Sequence, residues 1–265
     1  MIKVFVFAAL LFCSLFGRVA YAGEESQPAV SIEKYDHGFF IPPKEWDIVP
    51  PEHLSSKVVI GFVGKASKSG FRPSINLAIE PVRVTLSEYI KVLKNLYEVD
   101  RENRWRALGS VKTRSGKGRL TEIDTKTELG PVRILQMIFI KDSHAYILTA
   151  AAHKESFATL YKEFLASFRS LTVTENLEVA ISELEKKNLL QKRKEELLHT
   201  CEEVILSKNM SPTEAFNDPS FQEMQWKPFE QLIVNEYGDL GPYWQILVLR
   251  DMQKEISLLE EKKSP

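Results

Sequence analysis

Val132-Arg133-Ile134-Leu135-Gln136-Met137-Ile138-Phe139-Ile140-Lys141 and His144-Ala145-Tyr146-Ile147-Leu148-Thr149-Ala150-Ala151-Ala152, joined by Asp142-Ser143, decide the fold of this chain. Both runs carry apolar or small residues at odd and even positions alike. Successive side chains of a strand point to opposite faces, so such runs belong in the middle of a sheet covered on both sides. A two-residue connection makes them an antiparallel hairpin. Behind them Phe157, Leu160, Tyr161, Phe164, Leu165 and Phe168 form the wide apolar stripe of a helix that packs on that sheet. Leu171-Thr172-Val173 adds a last short strand.

Working back toward the N-terminus, Gly118 to Thr127 and Trp105 to Thr113 read as further strands. Thr85-Leu86-Ser87-Glu88 is a capping box, in which a hydroxyl and a carboxylate satisfy amides that a helix start leaves free. Leu86, Ile90, Leu93 and Tyr97 recur behind it at helical spacing and predict a helix from about Leu86 to Asp100. Before it stand Ser74 to Glu80, with Ile75, Leu77 and Ile79 on one face, and Val58 to Val63. Phe39-Phe40-Ile41-Pro42-Pro43 and Trp46-Asp47-Ile48 suggest two short strands about a proline turn. Strands, helix, strands, helix, with hairpin-length links, predict an α+β domain whose antiparallel sheet is sandwiched by helices.

The first 22 residues read as a secretory signal peptide. Lys3 gives the positive start, Val4 to Phe16 the apolar run, and Ala20-Tyr21-Ala22 before Gly23 the small-residue cleavage site. The run stops at Gly17-Arg18, short of the roughly 20 residues a spanning helix needs. Cys13 invites a lipoprotein reading, but Phe12 is bulky where a lipobox has a small residue. No later run is long enough to cross a membrane. The expected location is therefore periplasmic or secreted, with no transmembrane segment after cleavage.

Charge divides the remainder into two parts. Residues 23–174 hold 22 basic and 18 acidic side chains, net +4, and residues 175–265 hold 11 and 18, net −7. A net of +4 is far short of a nucleic-acid footprint, so no nucleic-acid partner is expected. After Thr174 the chain turns rich in Glu, Lys and Leu, predicting an all-α helical extension over 175–265. A long helix is expected from Leu177 to Leu206, with Leu177, Ile181 and Leu184 on one face and Leu190, Leu197, Cys201 and Val204 on another, so that it bends or meets different surfaces. Ser211-Pro212-Thr213-Glu214 is a second capping box, Asp218-Pro219 another start, and Gly241-Pro242 opens the last helix, where Leu249, Met252, Ile256 and Leu259 share a side. Cys201, the only cysteine after Cys13, reads as a small core residue.

Phe39-Phe40-Ile41-Pro42-Pro43-x-x-Trp46, Tyr146-Ile147-Leu148-Thr149-Ala150-Ala151 and Phe164-Leu165-Ala166-Ser167-Phe168-Arg169-Ser170-Leu171 resemble the PsbP-like superfamily, which includes photosystem proteins and bacterial DcrB-like envelope proteins. The resemblance covers roughly Val30 to Val173, the domain 23–174. It implies an antiparallel sheet between helices and a non-enzymatic accessory or binding role. The helical extension lies outside it.

Candidate chemistry is sparse. His144 and His153 flank one strand and are too far apart for one ion, while His199 and Cys201, two apart on a helix, point away from each other, so neither a metal nor a Cys–His nucleophile is expected. Glu122 and Asp124 share a strand face, read as the solvated face of an edge strand. Ser115-Gly116-Lys117-Gly118-Arg119 lacks the phosphate-loop spacing and reads as a hairpin turn. No catalytic residue, metal or cofactor is assigned. Two surfaces are. Arg101, Arg104, Arg106, Lys112, Arg114, Lys117 and Arg119 predict a basic sheet edge facing an anionic surface, against the competing reading of a solvated, aggregation-resistant edge. Trp226, Phe229, Tyr243 and Trp244 exceed what a small helical pair easily buries and are the expected partner surface. The function expected is a non-enzymatic binding or assembly factor of the cell envelope with an envelope protein partner. The alternatives are an envelope hydrolase with an unrecognised site, and a peripheral membrane-surface protein.

Overall fold

The computed structural model describes residues 37–67 and 70–259. The signal peptide read at residues 1–22 lies outside them. The chain divides into two compact units. One runs over Pro42–Thr172 with the described residues before Phe39, and the other comprises Phe39–Ile41 and the chain from Val173.

The first unit is built on a seven-stranded sheet. Its strands are β2 (Asp47–Ile48), β3 (Val58–Val63), β4 (Ser74–Pro81), β5 (Arg104–Lys112), β6 (Lys117–Thr127), β7 (Gly130–Lys141) and β8 (His144–His153). They lie in the order β2-β3-β4-β8-β7-β6-β5, every neighbouring pair antiparallel. β8 is the central strand, where its two-faced apolar pattern requires it to be. Asp142 and Ser143 close the β7–β8 hairpin with positive φ values of 48° and 60°, the backbone hand that matches strand twist in a two-residue turn.

Helix α1 (Leu86–Glu98) starts on the capping box formed by Thr85 and Glu88, and helix α2 spans Phe157–Arg169. Each covers one face of the sheet. Beneath α1, the buried Tyr89, Leu93 and Tyr97 pack with Ala78, Ile123, Val132, Ile134, Ile138, Ala145 and Ile147. Tyr89 takes the place expected of Leu86 and Ile90, which are only partly buried. On the other face the Arg133 guanidinium lies 5.5 Å from the Phe157 ring of α2, and Phe164 meets Trp46 edge to face.

A separate two-stranded sheet pairs β1 (His37–Phe39) with β9 (Thr172–Thr174). Helices follow: α3 (Leu184–Lys208), α4 (Pro212–Phe216), α5 (Pro219–Phe221), α6 (Lys227–Glu236) and α7 (Pro242–Ser257). The single helix expected over Leu177–Leu206 is interrupted. Leu177–Ala180 is a tight 3₁₀ turn capped by Asn176, Ile181 is extended, and α3 begins only at Leu184, which is exposed. The change of apolar face noted in the sequence is thus a break in the chain's course rather than a bend. Gln222–Trp226 is a wide π turn directly before Pro228. Pro228 has no N–H to give the carbonyl four residues back, so the helix opens there instead of ending. In α7 the buried stripe is Trp244, Val248, Met252 and Ile256 with Tyr243 and Leu247, whereas Leu249 is partly exposed.

Candidate functional site

The seven basic residues lie on and around β5, the edge strand, and all are exposed. Register shows which faces they take. Arg104 stands opposite Asp124 and Arg106 opposite Glu122, on the face that carries Arg133 and α2. A bulge then places Leu108 between Ala107 and Gly109, and Gly109 takes φ 102°, a conformation side chains resist. The extra residue reverses which face even-numbered positions occupy. Lys112 therefore joins Lys117, its direct partner, and Arg119 on the opposite face, the one that α1 covers. Arg114 sits in the β5–β6 turn, which Thr113 closes by pairing with Gly116. Arg101 precedes β5.

Among the described residues, one of the seven is neutralised. Arg106 donates to Glu122, whose side chain is 8% exposed. Glu122 also meets Arg133 at 3.4 Å, Arg133 grips Asp124 through two bonds of 2.7 and 2.9 Å, and Lys154 reaches Asp124 at 2.9 Å. The Arg133 fork, aided by Lys154, holds the Asp124 carboxyl down to about 2. Glu122 and Asp124 are therefore not the solvated face of an edge strand. They sit on β6, one strand in, largely buried within an ion-paired network. By contrast Arg101, Arg104, Lys112, Arg114, Lys117 and Arg119 form no ion pair among the described residues. Lys112 and Lys117 face each other with Cβ atoms about 5 Å apart, an arrangement that costs stability unless an anion offsets it.

The aromatic residues of the extension are corrected by the structure. Trp226, Phe229, Tyr243 and Trp244 are all buried, Trp244 completely. Trp226 packs on Phe216 and Phe229 and donates to Glu230 at 2.7 Å. Trp244 stacks on Tyr237 and donates to the Leu177 carbonyl at 3.0 Å, and Tyr237 donates to the Lys186 carbonyl at 2.7 Å. Five helices and two 3₁₀ turns enclose more volume than the helical pair assumed from sequence, so the rings are core rather than a partner surface. Cys201 is fully buried, and burial, with Glu202 beside it, raises its thiol to about 11, leaving it unreactive.

The sequence reading passed over a buried polar row on the α1 face. Asn76, Thr149, Gln136 and Thr121 stand directly opposite one another across β4, β8, β7 and β6, each at most 6% exposed. Gln136 donates to Thr149 at 3.3 Å. Asn76 Oδ1, Gln136 Oε1, Thr121 Oγ1 and Trp105 Nε1 are buried without a hydrogen-bond partner among the described residues. Nearby, Tyr89 donates to the buried Glu80, which also receives Lys57 at 2.7 Å. A polar residue at every such position of otherwise apolar strands is a signal in the sequence, but only pairing register aligns the four. Among the described residues no three His, Cys, Asp or Glu side chains gather to hold a metal ion.

No family model and no curated protein sequence matches the chain. Solved structures are matched over about half of it, and one from Bacteroides thetaiotaomicron over 85% of this chain and 76% of its own, at 10% identity and a TM-score of 0.34. LpqN of Mycobacterium tuberculosis, a protein involved in cell envelope biogenesis, is 12% identical over 54% of this chain and 87% of its own, with a TM-score of 0.40. Cyanobacterial PsbP of Synechocystis sp. PCC 6803 is 11% identical over 56% and 98%, TM-score 0.36. The Ran-binding protein Mog1p of Saccharomyces cerevisiae is 12% identical over 52% and 96%, TM-score 0.34. A PsbP protein is thus among the structures to which the chain is similar, as a likeness alone. At such TM-scores it carries no argument about function.

Proposed function

We propose that this protein is a non-enzymatic binding factor of the cell envelope, acting outside the cytoplasm, and that its basic β5–β6 edge lies against an anionic surface there. The observation that carries the reading is the unpaired cation set, above all Lys112, Lys117 and Arg119 on one face of the edge hairpin. Cations held side by side without counter-ions raise the local concentration of an anionic partner. The carboxylate pair that could have served hydrolysis, Glu122 and Asp124, is occupied by Arg106, Arg133 and Lys154, which supports binding over catalysis. The apolar run Val4 to Phe16, followed by Ala20-Tyr21-Ala22 before Gly23, supports export.

The same stretch of chain exposes apolar side chains: Leu96 and Val99 at the end of α1 and Leu108 on the β5 bulge are 40%, 83% and 41% exposed. Cations interspersed with exposed apolar groups suit a bilayer interface better than a soluble polymer. Co-sedimentation with vesicles tests this reading. The full-length protein should pellet with phosphatidylglycerol vesicles, not with phosphatidylcholine vesicles, and should be released by salt as the Debye length shrinks. Equal binding to both, or binding indifferent to salt, would overturn the anionic-surface reading.

A further inference from the structure

β5 is an edge strand of nine residues, and its pairing shows which of its backbone groups are left over. In an antiparallel pair, residues that exchange backbone bonds with the partner alternate with residues whose N–H and C=O point the other way. The Thr113 N–H donates to the Gly116 carbonyl at 2.7 Å across the β5–β6 turn. Counting along the register from that bonded pair, alternate β6 residues from Gly118 to Asp124 face β5, with Val111, Gly109, Arg106 and Arg104 as their partners. Trp105, Ala107, Ser110 and Lys112 therefore turn their backbone N–H and C=O to the open edge. The next outward group, the Arg114 N–H, donates to the Arg169 carbonyl at the end of α2, 3.1 Å away. The outward groups before it have no backbone partner among the described residues, and Ala107, Ser110 and Lys112 are exposed.

A row of outward N–H and C=O groups on an exposed edge is a template for another strand. A lipid headgroup can meet the cations, but only extended backbone matches the alternating donors and acceptors of the row. The side chains along the row decide which strand it accepts. Arg104 and Lys112, at the two ends of β5, are exposed and form no ion pair among the described residues, and β5 itself contains no carboxylate. Laid antiparallel about Leu108 on a second copy, the strand would set Arg104 against Lys112, like against like, which destabilises a cross-strand pair. The charges that guard the edge against its own copy leave it open to an acidic strand, and the exposed Ala107 and Leu108 between them offer apolar contact. We propose that the β5 edge takes up an extended acidic segment of a partner protein as a further strand of the sheet. The backbone of Trp105, Ala107, Ser110 and Lys112 pairs with that segment, and Arg104 and Lys112 select its carboxylates. The inference goes beyond the anionic-surface reading, with which it shares the cations but not the backbone row.

The test is binding of two synthetic peptides to the full-length protein, one alternating Glu with Val and one alternating Lys with Val, combined with amide hydrogen exchange. The Glu-Val peptide should bind saturably and roughly tenfold more tightly than the Lys-Val peptide, the effect of exchanging two like-charge cross-strand pairs for two opposite-charge ones. When bound it should slow exchange over residues 104–112, because outward N–H groups become ladder donors. The same peptide with its backbone nitrogens methylated should not compete. Ser110→Pro removes an outward N–H that β6 does not use, and should weaken the Glu-Val peptide roughly tenfold while leaving binding of phosphatidylglycerol vesicles unchanged. Arg104→Glu combined with Lys112→Glu keeps the backbone row and should reverse the ranking of the two peptides, which decides the matter even where Ser110→Pro fails to fold. No binding of the Glu-Val peptide, equal binding of its methylated form, unchanged exchange over residues 104–112 in the bound state, or an unreversed ranking in the double variant would overturn strand addition, with the vesicle result still standing. Failure of the vesicle result with the peptide results intact would instead overturn the surface reading.

Discussion

Trp244 shows how the structure turns a sequence expectation into a stability claim. Fully buried, stacked on Tyr237 and bonded to the Leu177 carbonyl, it should cost about 3–5 kcal/mol when truncated to Ala, read by denaturant unfolding. A loss under about 1 kcal/mol would be that of a surface residue. Asp124 makes a claim about pH. Its carboxyl is held at about 2 in the fold, against 3.8 for an unperturbed aspartate, so the folded state favours the ionised form. That contribution is complete above the unfolded value and is lost as pH falls through the folded one. Chemical denaturation at pH 6 should find Asp124→Asn less stable than the wild type, by roughly 2 kcal/mol on the linkage estimate for such a shift, and the gap should narrow toward pH 2. A gap that stays constant would show that the pairing with Arg133 and Lys154 does not set the protonation of Asp124. Neither role was legible in the sequence, where Trp244 read as surplus aromatic surface and Asp124 as solvated charge, because both depend on neighbours distant along the chain.

At the scale of elements, what the sequence made legible was local chemistry. The Thr85–Glu88 and Ser211–Glu214 boxes both form, each with reciprocal bonds, and Thr85→Ala should destabilise the first unit by about 1 kcal/mol, measurable as a shift in denaturation midpoint. Two-faced apolarity likewise located β7 and β8 within the sheet. Long-range register was not legible. The bulge at Leu108 reverses the facing of β5, so Lys112, which by simple alternation would accompany Arg104 and Arg106, joins Lys117 and Arg119 instead. Of the seven cations that looked like one cluster, five are thereby sorted into a pair on the α2 face, one of them neutralised, and a trio on the α1 face without ion pairs among the described residues, while Arg101 and Arg114 lie outside the paired strands. The break at Ile181 escaped notice for a similar reason: Glu, Lys and Leu favour helix throughout, and no Gly or Pro marks the stop.

At the scale of the molecule, charge and construction divide together, with the basic side chains in excess over residues 23–174 and the acidic ones after them. We propose that residues 23–174 form a domain that folds by itself, since the sheet, both covering helices and their caps lie within it. Phe39 and Phe40, fully buried and grouped with the second unit, would lose their packing in such a fragment. It should therefore unfold cooperatively but at a lower temperature than the full chain, and a non-cooperative thermal trace would contradict independence. The central claim is that Lys112, Lys117 and Arg119 carry the contact with an anionic surface. It is tested most directly by vesicle-binding isotherms of a Lys112→Gln, Lys117→Gln, Arg119→Gln variant, beside a control neutralised at the exposed Lys44 and Lys162. Each cation near an anionic bilayer is worth about 1 kcal/mol, so the triple variant should bind phosphatidylglycerol vesicles roughly a hundredfold more weakly, and the control within a fewfold of wild type. Equal losses in the two variants, or none in the triple, would contradict the account.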